Sequence, residues 1–279
     1  MSSIPATGVH KLPDTDYFEI DLPSSSTTKS LLNGTNAHLA YERANPRGEN
    51  DAFAIGAYTH ALLLDPKSID DGFIRIGSID RRTKEGKEQW ASAQRRAEST
   101  GARIINDEQV TLAEMMAQSV YENPAAARLL NTALEREVTV IGEIAGRPAK
   151  AKIDAIYSLA GANMIIDIKT TESASPSLFA ASAAKYGYYH QAAWYSRLIR
   201  QTSYGECTEF LIIAVEKTAP HLCAVYRVPQ IAIEISDQKL DELARRWWAV
   251  KQGDTTGYPQ TITELEPPAW WLKNSFTID

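Results

Sequence analysis

The chain has no run of 18 apolar residues, so no membrane-spanning helix is expected. Its first residues, M-S-S-I-P-A-T-G-V-H-K, contain no apolar stretch of the secretory kind, and a cytoplasmic location is expected. Cysteine is scarce. Cys207 and Cys223 are the only two, both in apolar strand-like runs, so two buried thiols are expected, with a disulfide between neighbouring strands as the alternative. Without a C-x-x-C pair, structural zinc and iron–sulfur sites have no support. No glycine-rich loop follows a strand, which removes the nucleotide-binding folds. Internal repeats and low-complexity segments are also missing. Net positive charge is lacking as well: the formal charge is -6, which argues against a chain that coats nucleic acid but not against one that grips it locally.

What remains is a 279-residue chain with 44% hydrophobic residues, enough to bury a sizeable core in a single domain. The N-terminal half reads as helical. Helices are expected over 29–43, capped by Ser26 or Thr27, then over 51–64, stopped by Asp65-Pro66, and over 84–98, 107–122 and 124–130. Residues 69–79 read as an exposed strand or loop. From about residue 134 the period shortens to two. Strands are expected over 137–144, 149–158 and 164–169, the last two forming a hairpin with a loop of about five residues. A short helix or loop over 177–187, a helix over 188–200, strands over 209–216 and 222–228, and a helix over 237–252 complete the order. That succession predicts an α+β fold of α/β/α type, a central mixed sheet flanked by helices, with helical additions at the N-terminus.

The chemistry concentrates between Lys150 and Thr170, K-A-K-I-D-A-I-Y-S-L-A-G-A-N-M-I-I-D-I-K-T. Asp167 and Lys169 lie two apart on a strand and share one face, while Ile168 points away. Asp167 sits among apolar residues, where a carboxylate is costly unless it is paired or metal-bound. A plain Asp167–Lys169 ion pair is the structural alternative, and it leaves Asp154 unexplained. Two carboxylates and an ammonium at one point suit Mg²⁺ or Mn²⁺ and an attacking water: Asp154 and Asp167 as oxygen ligands, the Ile168 carbonyl as a further one, and Lys169 to act on the water or on the charge of the transition state. Gln191 and Tyr195, four apart on a helix, share a face. Glu137 and Glu143 are lesser candidates for a second metal, or solvent-facing strand residues.

Residues 81–103 hold seven basic side chains against three acidic ones. Either a charged helix surface or a phosphate-binding footprint accounts for them, and Arg81, Arg82 and Lys84 are the candidate backbone contacts, with Arg147, Lys150, Lys152 and Thr170 near the hairpin.

Taken in order, four segments give the chain a specific likeness. They are S-S-S-T-T-K-S-L-L-N-G with G-A-Y-T-H-A-L-L-L-D-P, the hairpin ending D-I-K-T-T, Y-Y-H-Q-A-A-W-Y, and F-L-I-I-A-V-E-K-T-A-P. Over residues 25–255 the chain resembles the PD-(D/E)XK nuclease superfamily, and within it the nuclease domain of the RecE (exodeoxyribonuclease VIII) family. The segments 1–24 and 256–279 are peripheral to the likeness. The resemblance implies that His60 joins Asp154 and Asp167 at the metal, that Lys169 is the catalytic lysine, and that Gln191 and Tyr195 belong to the site. It implies an exonuclease acting on linear double-stranded DNA from the 5′ end. It also implies a ring-like trimer or tetramer working beside a single-strand annealing protein. Two other readings stand beside it: a superfamily nuclease of different polarity or an endonuclease, and a non-catalytic DNA-binding phage protein on the same fold.

Overall fold

The computed structural model describes residues 4–46, 51–77, 79–80, 82–159, 162–268 and 271–272. Arg81, named above as a backbone contact, lies outside them. The elements run β1 (Gly8–His10), α1 (Asp14–Glu19), a 3₁₀ turn (Lys29–Leu31), α2 (Asn36–Ala44), α3 (Asp51–Leu64), a second 3₁₀ turn (Pro66–Ser68), α4 (Ile69–Gly72), β2 (Phe73–Ile76), α5 (Lys84–Thr100), β3 (Arg103–Asn106), α6 (Asp107–Glu122) and α7 (Pro124–Asn131). Then follow β4 (Ala133–Ile144), β5 (Arg147–Leu159), β6 (Ala162–Thr171), α8 (Pro176–Lys185), α9 (Tyr188–Ile199), β7 (Cys207–Glu216), β8 (Cys223–Arg227), α10 (Gln230–Asp237) and α11 (Leu240–Lys251).

A six-stranded sheet in the order β1-β4-β5-β6-β7-β8 forms the centre, and β2 pairs with β3 in a separate two-stranded sheet. Within the large sheet only β6 and β7 are parallel, joined by the α8–α9 crossover, so the sheet is mixed. Helices cover both faces. Tyr58 and Leu63 of α3, Met116 of α6 and Leu130 of α7 pack on Ile166, Ile168 and Ile213. On the other face Trp194 and Leu198 of α9, Phe179 of α8 and Ala244 of α11 pack on Val138, Ile153, Ile165 and Phe210. This is the expected α+β architecture. Cys207 and Cys223 are free thiols, half-buried on β7 and β8, and burial pushes both up to about 11.

The single helix expected over 29–43 is two elements. Gly34 sits in the turn between them, where a Cβ would collide with the Ser30 carbonyl oxygen. The cap moves accordingly from Ser26 or Thr27 to Thr35, whose backbone N–H donates to His38 Nδ1 at 3.0 Å. The hairpin is tighter than expected: Leu159 pairs with Ala162, leaving a two-residue connection.

Lys150 is the clearest departure from its expected place. It is 4% exposed, and its ammonium donates to the carbonyls of Tyr17 and Ile20 at 2.6 Å each while lying 4.2 Å from the Tyr17 ring centroid. It pins the N-terminal segment to β5 and does not face solvent, so it is not a DNA-backbone contact. Hydrogen bonds from a charged donor contribute about 1.5–3 kcal/mol each, and removing the donor strands two carbonyls. Lys150→Ala is therefore expected to destabilise the fold by on the order of 3 kcal/mol in urea unfolding. A loss below about 0.5 kcal/mol would show that the segment is held by other contacts.

Candidate metal and catalytic site

The site forms where the sheet opens. Strands β5 and β6 pair from Leu159↔Ala162 up to Ala155↔Ile166, and the ladder stops there, although β6 stays paired with β7 through Thr171↔Glu216. At the next position the Asp154 side chain replaces the missing backbone acceptor: Ile168 N–H donates to Asp154 Oδ2 at 2.7 Å. The N–H and C=O of one strand residue point to the same side. The Ile168 carbonyl is thereby turned toward the same gap.

Groups from both faces of the sheet meet at this gap. From α3, His60 Nδ1 lies 3.6 Å from Asp154 Oδ2. From β4, Glu137 stands opposite Asp154, between the register pairs Arg136↔Ala155 and Val138↔Ile153. The donor atoms of His60, Glu137 and Asp154 all fall within 4.8 Å of one another. Glu137 reaches this place from a left-handed backbone, φ 49°, a conformation that costs a non-glycine residue about 1–3 kcal/mol and that clusters at functional sites.

Asp167 approaches from the α9 side. It is 2% exposed. Gln191 Nε2 donates to Asp167 Oδ1 at 2.6 Å, and Lys169 Nζ lies 2.6 Å from Asp167 Oδ2. The latter oxygen has no aligned hydrogen-bond donor among the described residues. Tyr195, on the same face of α9 as Gln191, is 8% exposed and packs in the core beneath it.

The electrostatics follow from this crowding. Burial pushes Glu137 up to about 8, with Asp154 and Asp65 adding to the effect. Burial likewise raises Asp167 to about 6, against the pull of Lys169. For Lys169, burial works downward but Asp167 and Asp154 outweigh it, so its pKa lies above the ordinary lysine value. Lys152 is pushed down by burial and pairs with Asp14 and, at 2.7 Å, with Glu137.

These residues fit a hard divalent cation. The donors are two carboxylates and an imidazole, burial and the neighbouring acids hold Glu137 well above the usual carboxylate range, and one buried carboxylate oxygen beside them lacks an aligned donor. The grouping differs from the expected one in a single respect: Glu137 stands with His60 and Asp154, while Asp167 turns to Lys169 and Gln191. The register of β4 against β5 is what brings Glu137 in, and it could have been found by aligning the strand after Glu135 with K-A-K-I-D. Gln191 faces the Asp167 carboxylate directly.

The proposed backbone contacts are scattered. Arg82 is exposed and lies 3.8 Å from Asp80, and Lys84 begins α5. Lys152 is engaged by acids within the chain. Arg147 is exposed on β5, its guanidinium 5.4 Å from the Trp248 ring centroid. Thr170 Oγ1 sits 3.5 Å from where a Cβ on Gly56 would lie, one helical turn before His60.

The fold is shared with a crystal structure of a protein described as "Putative exonuclease" from Eubacterium rectale: TM-score 0.62 and 15% identity over 96% of this chain and 100% of that one. Two further crystal structures overlap too little to bear on the fold. SSO0001 has 16% identity over 77% of this chain and 83% of that chain, with a TM-score of 0.33. Protein VC1899 from Vibrio cholerae has 12% identity over 82% and 57%, with a TM-score of 0.26. No curated protein matches the chain at a significant level. Among the described residues no helix is long and apolar enough to cross a membrane. The opened hairpin with its carboxylates and lysine is a PD-(D/E)XK-like core, and residues 24–260 match the family described as "PDDEXK-like domain of unknown function (DUF3799)", to which the chain belongs.

Proposed function

We propose that the chain is a single-domain, metal-dependent exodeoxyribonuclease that hydrolyses linear double-stranded DNA from the 5′ end and leaves a 3′ single-stranded tail. The observation that carries this reading is the convergence of His60, Glu137 and Asp154 beside the Asp167–Lys169 pair at the gap between β5 and β6. His60, Glu137 and Asp154 would hold Mg²⁺ or Mn²⁺, with Asp167 and the Ile168 carbonyl at its margin. When bound, the metal supplies Lewis-acid polarisation of the phosphodiester and a more acidic water. Lys169, held protonated by two aspartates, neutralises negative charge that grows on the phosphoryl oxygens. Gln191 and Lys169 orient Asp167 from opposite sides.

The description of the Eubacterium rectale protein supports exonuclease action, and the RecE resemblance supplies the polarity, a ring-like trimer or tetramer, and a single-strand annealing partner. Exposed apolar side chains on the C-terminal segment, Tyr258, Ile262 and Leu265, are suited to subunit contacts. The test is digestion of end-labelled linear duplex with Mg²⁺ or Mn²⁺, comparing 5′-phosphate, 5′-hydroxyl and circular substrates. Loss of label from linear but not circular DNA is expected. Cleavage of the circle would point to an endonuclease, and no cleavage with either metal would end the enzymatic reading.

Helix α5 packs on β2 and β3, and β3 packs on α6 and on α3, the helix that carries His60. Replacing Arg82 and Lys84 together with alanine is expected to weaken duplex binding alike for all sequences. The slope of log K against log salt should flatten by about 0.9 per lost phosphate contact. An unchanged Kd and slope would leave α5 as ordinary charged surface.

A further inference from the structure

A ladder of rings and ammonium groups leads outward from Lys169. Lys169 Nζ lies 5.0 Å from the ring centroid of Tyr188. The Tyr188 and Tyr186 rings follow at 6.2 Å between centroids, tilted by 32°. Two exposed, long-stemmed cations lie over the Tyr186 ring, Lys29 Nζ at 5.1 Å and Lys185 Nζ at 5.3 Å from its centroid. Burial falls along the ladder: Tyr188 is half-buried, Tyr186 is 44% exposed, and both lysines are exposed.

Segments far apart in sequence build the platform. Tyr186 caps α8, its N–H donating to the Ser182 carbonyl at 2.8 Å. The chain then turns at Gly187 with φ +71°, where a Cβ would stand 3.0 Å from Leu32 Cδ1. The backbone that carries Lys29 is positioned from its own side, because the preceding Thr28 hydroxyl meets His190 Nε2 at 3.0 Å in the interior. Folding gains little from holding an exposed tyrosine between two ammonium groups. An exposed aromatic ring covered by two flexible ammonium groups does suit a nucleobase and its phosphates: a base stacks on the ring as the cations swing aside to take the backbone.

We propose that Tyr186, with Lys29 and Lys185, is a subsite for an unpaired nucleotide of the nucleic-acid strand whose phosphodiester lies at Lys169, the base stacking on Tyr186 and the lysines contacting adjacent phosphates. This inference rests on the nuclease reading and assigns the place where a frayed or single-stranded end is held.

The test uses the full chain, with Tyr186→Ala, Tyr186→Phe, Lys29→Ala and Lys185→Ala. Tyr186 is exposed, so the alanine variant should match the wild type in thermal unfolding. Binding is followed in EDTA with duplexes that carry 2-aminopurine in a short single-stranded overhang, and cleavage kinetics are measured with Mg²⁺. Wild type and Tyr186→Phe should quench the 2-aminopurine, and Tyr186→Ala should not. The alanine variant should raise Kd and KM for the overhang substrate about tenfold with kcat held, since losing one base stack weakens binding by that order or more. Circular duplex should bind the variant and the wild type equally. Each lysine variant should flatten the salt slope by about 0.7, the single-strand value. Unchanged quenching and KM in Tyr186→Ala, while the wild type cleaves normally, would overturn the subsite and leave the nuclease reading standing. So would an equal loss for overhang and circular DNA, which marks a general duplex contact. Wild-type protein that neither binds nor cleaves any of these DNAs would bring down the nuclease reading and the subsite together.

Discussion

Lys169→Ala is expected to cleave linear duplex at least 100-fold more slowly than the wild type while remaining folded. The size follows from where the ammonium sits. It lies 2.6 Å from Asp167 Oδ2 and beside the opening of the β5–β6 hairpin, where a cation offsets charge that exists only in the transition state. Losing a preorganised charge of this kind costs about 10²–10³ in rate. Breaking a buried ion pair would ordinarily destabilise the fold as well, since it leaves the partner charge uncompensated. Here Asp167 has a way out. Its pKa is already pushed to about 6 by burial, so it can take a proton near neutrality, and Gln191 continues to hold its other oxygen. Mn²⁺ affinity should therefore change little, because His60, Glu137 and Asp154 remain. Single-turnover cleavage at saturating DNA is the measurement, and more than half the wild-type rate in the variant would refute the role.

Much of this arrangement can be read in the chain before any coordinates. The D-I-K triplet places Asp167 and Lys169 on one strand face by alternation alone, and the apolar residues around Asp167 already demand a partner for its charge. Elements with strong local signals lie close to their expected bounds. For α6 the cap Asn106, the acidic first turn and the stop at Asn123-Pro124 all agree. Where local signals conflict, tertiary contacts decide. The segment I-A-I-E-I alternates like a strand, yet it is helix α10, with Ile231 and Ile235 exposed. The three-residue β1 owes its existence to the edge of β4, which no local pattern announces.

The site residues divide along the same line. Periodicity puts Lys150, Lys152 and Asp154 on one face of β5, and by sequence all three are equivalent. Packing separates them completely. The N-terminal segment folds over Lys150, Asp14 and Glu137 engage Lys152, and only Asp154 reaches the gap. Glu137, a lesser candidate by sequence, takes its place beside His60 and Asp154 for a related reason. Its place at the site depends on the register of β4 against β5 and on a left-handed backbone, and both are properties of strand pairing rather than of the residues themselves.

Asp154 joins structure and chemistry in one side chain, and two substitutions there should separate the two roles. Asp154→Asn keeps an oxygen that can accept the Ile168 N–H, so the hairpin should stay open in the same geometry and unfolding should shift by less than about 1 kcal/mol. It removes a negative charge from the His60–Glu137–Asp154 group, so Mn²⁺ affinity measured by calorimetry should fall about tenfold or more, and cleavage should fall with it. Asp154→Ala loses the acceptor too. The Ile168 N–H is then left without a partner inside the sheet, at a cost of about 1–3 kcal/mol, and the loss of metal affinity should be at least as large. If Asp154→Asn bound Mn²⁺ as tightly as the wild type, Asp154 would be a purely structural acceptor and the cation would have to be sought at Asp167. If both variants lost the same stability, the bond to Ile168 would not be what holds the strand edge. The combination that supports the site is a folded asparagine variant that has lost metal and activity, beside an alanine variant that has lost stability as well.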